Sequence, residues 1–184
     1  MSEPPVYRAT TLANAYGGID RLPVAVLLDN VRSLYNVGSF FRTCDAVRVQ
    51  KLLLAGITAT PPNAQIAKTA LGAEQAVPWE KCEAVGALED LRARGCELAA
   101  VETSLRAVDL FDWQPAFPLC VVFGHEVEGV RAELLERCDT HVRIPTLGLK
   151  QSLNVATAGG VVLYELLRKY RRLAGRAARP SAMC

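Results

Sequence analysis

Three separated stretches of this chain carry polar side chains of the kind that bind and orient a small ligand. The first is Asp29-Asn30-Val31-Arg32-Ser33-Leu34-Tyr35-Asn36-Val37-Gly38-Ser39-Phe40-Phe41-Arg42, which leaves an apolar run and enters a helical pattern. A guanidinium such as that of Arg42 can meet a phosphate with two parallel N–H donors. Asn36 and Arg42 stand six positions apart and do not share a helix face. With Asn36 at the helix start and Arg42 reaching sideways, both can still serve one cleft. On spacing alone Asn36 is an N-cap and Arg42 a surface cation.

The second stretch is Val121-Val122-Phe123-Gly124-His125-Glu126-Val127-Glu128-Gly129, an apolar strand that runs into a glycine-bounded loop. Gly124 allows the backbone to approach a ligand, and Glu126 projects from the loop at the strand end. His125 reads as a loop residue, because the only other histidine, His141, begins a different strand. The third stretch, Arg143-Ile144-Pro145-Thr146-Leu147-Gly148-Leu149-Lys150-Gln151-Ser152-Leu153-Asn154-Val155-Ala156, passes from a strand through a loop into the last helix. Ser152 is placed to cap that helix and Asn154 to bond nearby backbone. Free amides at such a helix start would anchor a polar ligand.

These stretches need a frame to bring them together. Short runs rich in β-branched residues at Val24–Leu28, Lys51–Ala55, Glu97–Val101, Leu119–Phe123 and His141–Ile144 alternate with helical patterns. That alternation predicts a parallel α/β sheet, whose ligands bind at the carboxyl ends of the strands. Val37, Phe40, Phe41, Cys44 and Val47 recur at helical spacing, with Arg42 outside their stripe. A last helix is predicted from about Ser152 to Tyr170, burying Ala156, Gly160, Leu163, Leu167 and Tyr170 along one line. Gly159 and Gly160 within it each cost about 1 kcal/mol against alanine, which implies a second backbone pressed close. Pro61-Pro62-Asn63 reads as a turn into a short helix. One domain spans 1–184, with its core at about 21–173 and short extensions on either side.

With 51% hydrophobic and 22% charged residues, the 184-residue chain can fill a core. A net charge of +2 is too small to announce nucleic-acid binding by itself, so any RNA contact must come from a local cluster. Arg168, Lys169, Arg171, Arg172, Arg176 and Arg179 form one beyond Glu165, the last acid. They suit phosphate contacts or a solvated helix end favoured by the helix dipole. The six cysteines form no C-x-x-C pair, which argues against a zinc site and a disulfide framework. No signal-peptide core follows the polar N-terminus and no stretch reaches a membrane span. The expectation is a soluble cytoplasmic protein without metal or membrane. No G-x-G-x-x-G follows the first strand, so a conventional dinucleotide site is not available.

Asn36-x-Gly38-x-x-x-Arg42, then Phe123-Gly124-x-Glu126-x-x-Gly129, then Ile144-Pro145 with Ser152-Leu153-Asn154-Val155, resembles in order and spacing the TrmH (SpoU) family of SPOUT RNA methyltransferases. The resemblance runs from about Val24 to Lys169. Departures are mild: Thr146 where methionine is frequent, and Gly159-Gly160 where alanines are frequent. It implies an α/β fold, a parallel sheet flanked by helices, with a C-terminal trefoil knot through which the last helix threads. General chain topology disfavours knots, so that expectation rests on the family alone. It further implies a homodimer whose active sites draw on both subunits. The cofactor would be S-adenosylmethionine, held by main-chain groups near Thr103, Gly124, Ile144, Ser152 and Leu153.

The reaction so implied is methyl transfer to a ribose 2′-hydroxyl of RNA, with Arg42, Asn36, Glu126, Ser152 and Asn154 as the catalytic set. A ribose hydroxyl is a weak nucleophile and needs a proton acceptor. The family solution makes Arg42 the base, which is demanding for a guanidinium with a pKa above ~12. Anchoring the neighbouring phosphate is the less demanding role. Two rivals stand beside this reading: an RNA-binding or assembly factor of the same fold without turnover, and a small-molecule α/β enzyme, which would leave the basic C-terminal end without a role. Transfer RNA is the first substrate expected of a short chain without a separate RNA-binding domain, and ribosomal RNA the second.

Overall fold

The computed structural model describes residues 21–177. Its first strand, β1 (Leu22–Asp29), sends Leu22, Val24, Val26 and Leu28 into one buried layer and Ala25 and Leu27 into another. An apolar run buried on both faces belongs between two layers of helices, and that is where β1 lies. After it come α1 (Leu34–Val47), β2 (Val49–Ala55), α2 (Ala64–Ala70), α3 (Ala73–Ala76), β3 (Trp79–Cys82), α4 (Ala84–Ala93), β4 (Glu97–Val101) and β5 (Val108–Asp109). The chain finishes with β6 (Leu119–Phe123), α5 (Ala132–Leu135), β7 (Thr140–Arg143) and α6 (Val155–Ala177). The strands form one parallel sheet in the order β3-β2-β1-β6-β4-β7-β5. The five predicted strands are its centre, the last displaced by one residue. The two unpredicted ones lie at the edges: β3 is largely polar and β5 is two residues long.

One contact packs α1, the end of β6 and α6 together. Phe40 of α1 lies fully buried with its ring 5.0 Å from that of Phe123 at the end of β6. A Cβ placed on Gly159 of α6 would stand 2.3 Å from Phe40 Cε1. The small residue at 159 is therefore there for an aromatic ring, not for a second backbone as its sequence suggests. Nothing lies within 4 Å of a Cβ at Gly160.

Both chemistry-bearing helices begin elsewhere than predicted. Ser33, not Asn36, caps α1, its Oγ accepting from Asn36 N at 3.3 Å. Ser152 does not cap α6. That helix begins at Val155, and Asn154 Oδ1 accepts from Ala156 N at 2.9 Å and Thr157 N at 3.2 Å. Along α6 the fully covered line is Gly159, Val162, Leu163 and Leu166, while Ala156, Leu167 and Tyr170 are only partly buried. Asn63 does cap α2, accepting from Gln65 N at 2.9 Å.

The basic C-terminal cluster is smaller than its sequence suggests. Lys169 is buried and donates to the carbonyls of Leu110 at 2.6 Å and of Trp113, tying α6 to the segment after β5. Burial pulls its pKa down, partly countered by Glu165, 3.6 Å away. Arg168 makes a two-pronged pair with Glu165 at 2.6 and 2.5 Å. Arg171 and Arg172 are exposed, the side chain of Arg176 is not described, and Arg179 lies outside the described residues.

The Phe40 contact gives a paired test. Gly159→Ala should lower the unfolding free energy by about 1–3 kcal/mol through overpacking. Gly160→Ala, in a helix interior with open space, should cost nothing or gain up to ~1 kcal/mol. Urea denaturation of both variants distinguishes a packing constraint at 159 from a general intolerance of this helix turn.

Candidate active site

The chain leaves β1 at Asp29 and begins α1 at Leu34, so the N–H groups of Arg32 and Ser33 have no helical carbonyl to meet. Glu126 takes both. Its Oε2 accepts from Arg32 N at 3.1 Å and its Oε1 from Ser33 N at 3.0 Å. The same Oε1 accepts from Asn36 Nδ2 at 3.0 Å. Asn36 Oδ1 then accepts from Asn154 Nδ2 at 3.2 Å. Side chains 90 and 118 residues from Asn36 thus meet on it, joining the ends of β1 and β6 to the start of α6. Partial burial tends to raise the Glu126 pKa, but the Ser33 and Arg32 amides and the Asn36 side chain outweigh it and hold the carboxyl below its ordinary range.

Local backbone chemistry puts Glu126 at this point. His125 and Gly129 exchange backbone hydrogen bonds at 3.0 and 2.9 Å, closing a tight loop. A Cβ on Gly124 would stand 2.1 Å from Gly129 O, and Gly129 itself has φ +74°, so both glycines are required. Glu102, just past β4, was not singled out by its sequence, since a lone acid after a strand carries no pattern. It accepts from Thr103 N at 2.8 Å and from Val130 N at 2.9 Å, which joins the Thr103 loop to the Glu126 loop. Below them, buried Asp29 is held by Arg131 at 2.7 and 3.0 Å.

Between the carboxyl ends of β4, β6 and β7 lies an open cleft of about 590 Å³. Thr103, Gly124, Ile144, Ser152 and Leu153, the expected cofactor residues, all line it, as do Glu126 and Asn154. Residues 145–153 make no hydrogen bond to any described residue, so their main-chain donors and acceptors are open to a ligand. Ser152 likewise has an exposed, uncommitted hydroxyl. Asn36 does not line the cleft and is joined to it through Glu126 and Asn154, whereas Arg42 does not line it either, is exposed on α1 and makes no hydrogen bond or ion pair among the described residues. Six residues of helix carry it about 9 Å along the axis from Asn36 and onto another face.

Neither histidine is placed to act as a base. His125 Nδ1 accepts from Val127 N at 3.2 Å and Glu128 N at 3.1 Å. His141 is buried between Ser104 Oγ at 2.8 Å and Leu135 O at 3.0 Å. Among the described residues no group of three or more His, Cys, Asp or Glu could hold a metal.

A parallel α/β sheet with a polar clasp over a ligand-sized cleft defines a binding fold of the doubly wound class. Residues 23–164 match the SpoU rRNA Methylase family, and the chain belongs to this family of TrmH/SpoU RNA methyltransferases. It is 35% identical over 158 residues to the tRNA (guanosine(18)-2′-O)-methyltransferase of Aquifex aeolicus, covering 85% of this chain and 74% of that one. It is 32% identical over 162 residues to the 23S rRNA (guanosine-2′-O-)-methyltransferase of Ralstonia nicotianae, covering 88% and 65%. The crystal structure of an AdoMet-bound rRNA methyltransferase from Sinorhizobium meliloti superposes with a TM-score of 0.75 at 28% identity, covering 80% of this chain and 60% of that one. The chain spans about three-fifths of the length of other curated relatives it matches.

The clasp predicts a pH signature. A depressed carboxylate contributes stability that is complete above its unfolded value, about 4.3, and is lost as pH falls through the lower folded value. The stability difference between wild type and Glu126→Gln should therefore be constant near neutrality and shrink in acid below about pH 4.3. A difference that grew with acidity would contradict the clasp. Glu102→Ala should raise the Kd for S-adenosylhomocysteine about tenfold, the equivalent of ~1.4 kcal/mol, as measured by calorimetry.

Proposed function

We propose that the chain is an RNA ribose 2′-O-methyltransferase that uses S-adenosylmethionine. The observation that carries this reading is the Glu126–Asn36–Asn154 clasp, which ties the first polar stretch to the two that line one cleft, where residues 145–153 have an open main chain. The cleft volume lies within the range of small-molecule sites, and the uncommitted main chain of 145–153 suits a cofactor rich in both donors and acceptors. S-adenosylmethionine, when bound, supplies an electrophilic methyl group. Thr103, Gly124, Ile144 and Leu153 would hold it there.

Arg42 binds the phosphate beside the target ribose and orients the hydroxyl, with a two-pronged geometry that lysine does not reproduce. Glu126 spends both oxygens on Arg32, Ser33 and Asn36, so it organises the site and does not accept the proton. Ser152 and Asn154, which line the cleft, would position the ribose. Holding the reactants in attack geometry can supply on the order of 7–11 kcal/mol, so positioning is the main contribution.

Arg42 stands apart from its own cleft, and this supports a homodimer in which each arginine serves the partner's cleft. Tyr35 at the start of α1 and Tyr164 on α6 are 50% and 54% exposed, apolar surface that a second copy would cover. We take α6 to be threaded as a trefoil knot, an arrangement that rests on the family. Free thiols at the five described cysteines fit work in the cytoplasm. Transfer RNA is the proposed substrate, with ribosomal RNA second because relatives named for each are similar to this chain.

With bulk RNA as substrate, Arg42→Ala should abolish methyl transfer while leaving S-adenosylhomocysteine affinity within about twofold, and Arg42→Lys should be nearly as poor. Turnover at the wild-type level in Arg42→Ala would overturn the role. Mapping 2′-O-methyl marks in cells with and without the gene identifies the RNA.

A further inference from the structure

The cofactor cleft carries a charge that the function proposed above leaves without a role. Besides His125, whose Nδ1 accepts two backbone hydrogen bonds, the ionisable side chains lining it are Glu102, Glu126, Glu128 and Arg143. Glu102 and Glu126 are committed to backbone amides and to Asn36. Arg143 is the only lysine or arginine among the described residues that lines the cleft, and it precedes Ile144, one of the expected cofactor contacts. It is exposed, and its side chain makes no hydrogen bond or ion pair among the described residues. A carboxylate stands in the adjoining strand, since Asp109 of β5 pairs in register with Arg143 of β7. Yet Asp109 Oδ1 accepts from Phe111 N at 2.9 Å and does not pair with Arg143. The main chain of Arg143, by contrast, is fixed, its carbonyl accepting from Leu110 N at 2.9 Å.

A guanidinium without a partner in a ligand cleft suits a planar anion, which it meets with two parallel N–H bonds. S-adenosylmethionine has one anionic group, the carboxylate of its amino-acid end. Its sulfonium and ammonium are positive, and its adenine and ribose are neutral. We propose that Arg143 takes that carboxylate and so sets which way round the cofactor lies. This rests on the S-adenosylmethionine reading and adds to it the residue that tells the cofactor from its decarboxylated form. The acids of the cleft cannot do so, because like charges repel. Arg143 shares its lining with Thr103, Gly124 and Ile144, which favours the cofactor over an RNA phosphate as its anion. The cofactor is a cation overall, so a nearby arginine that did not touch the carboxylate would weaken binding. Direct contact reverses that sign.

The test is calorimetric binding, without RNA, of S-adenosylmethionine and of decarboxylated S-adenosylmethionine to the full chain and to Arg143→Gln. The wild-type protein should bind the intact cofactor about tenfold more tightly, as the loss of a charge-assisted pair requires. Arg143→Gln should raise the Kd for the intact cofactor about tenfold. The decarboxylated form should bind that variant as before or more tightly, since a repelling charge has gone. Arg143→Lys keeps the charge without the two-pronged geometry and should fall between the wild type and Arg143→Gln for the intact cofactor. An electrostatic background alone would tighten both ligands in Arg143→Gln. That result, equal affinity of the wild type for the two ligands, or a wild-type preference that survives in Arg143→Gln would overturn the proposal and leave Arg143 to the RNA. Equal weakening of both ligands would overturn it too, by marking a structural role. Wild-type protein that bound neither ligand would overturn the cofactor reading together with this one, so the two failures are distinguishable.

Discussion

A surface glutamate that accepts three hydrogen bonds from a helix start 90 residues away holds the rest of this site in place. Glu126 neutralises amides that α1 cannot satisfy itself, and through Asn36 it fixes the start of α6. The polar clasp lies above an apolar one, where Phe40 and Phe123 come from the first two stretches and Gly159 from the helix that the third enters. Either layer alone would be weak. An exposed hydrogen bond contributes about 1 kcal/mol at most, whereas a buried aromatic junction fixes distances but not the direction of polar groups.

The division of labour follows from what each group has already spent. Glu126, Asn36 and Asn154 are engaged with one another, and Glu102 with the loops that flank the cleft. Ser152, the main chain of 145–153 and Arg42 are not engaged, and these groups are left for cofactor and RNA. Committed polar groups around an uncommitted wall suit a site that must hold one ligand closely and admit a polymer beside it.

The sheet was legible because its central strands are buried on both faces and therefore read as unbroken apolar runs. Edge strands escaped: Trp79–Cys82 is mostly polar and Val108–Asp109 is too short to show a period. Site residues were legible as a set in order and spacing, but their local roles were not. Asn36 precedes the apolar stripe and is as good an N-cap by type as Ser33, so only the fold shows that the helix starts one turn earlier with Ser33 bonding the Asn36 amide. Lys169 looked like part of a basic patch, since nothing in its neighbourhood of sequence reveals that its partners are carbonyls 56 and 59 residues away. Glu102 has the same character: its function comes from a loop 28 residues distant.

The central claim is that distant stretches of chain close on one cleft that grips a methyl donor through its backbone. A crystal structure of the protein with S-adenosylhomocysteine tests it most directly. Density among Thr103, Gly124, Ile144 and Leu153, with the Glu126–Asn36–Asn154 bonds intact, is the expected result. Ligand bound elsewhere, or a cleft that must break those bonds to admit it, would contradict the account.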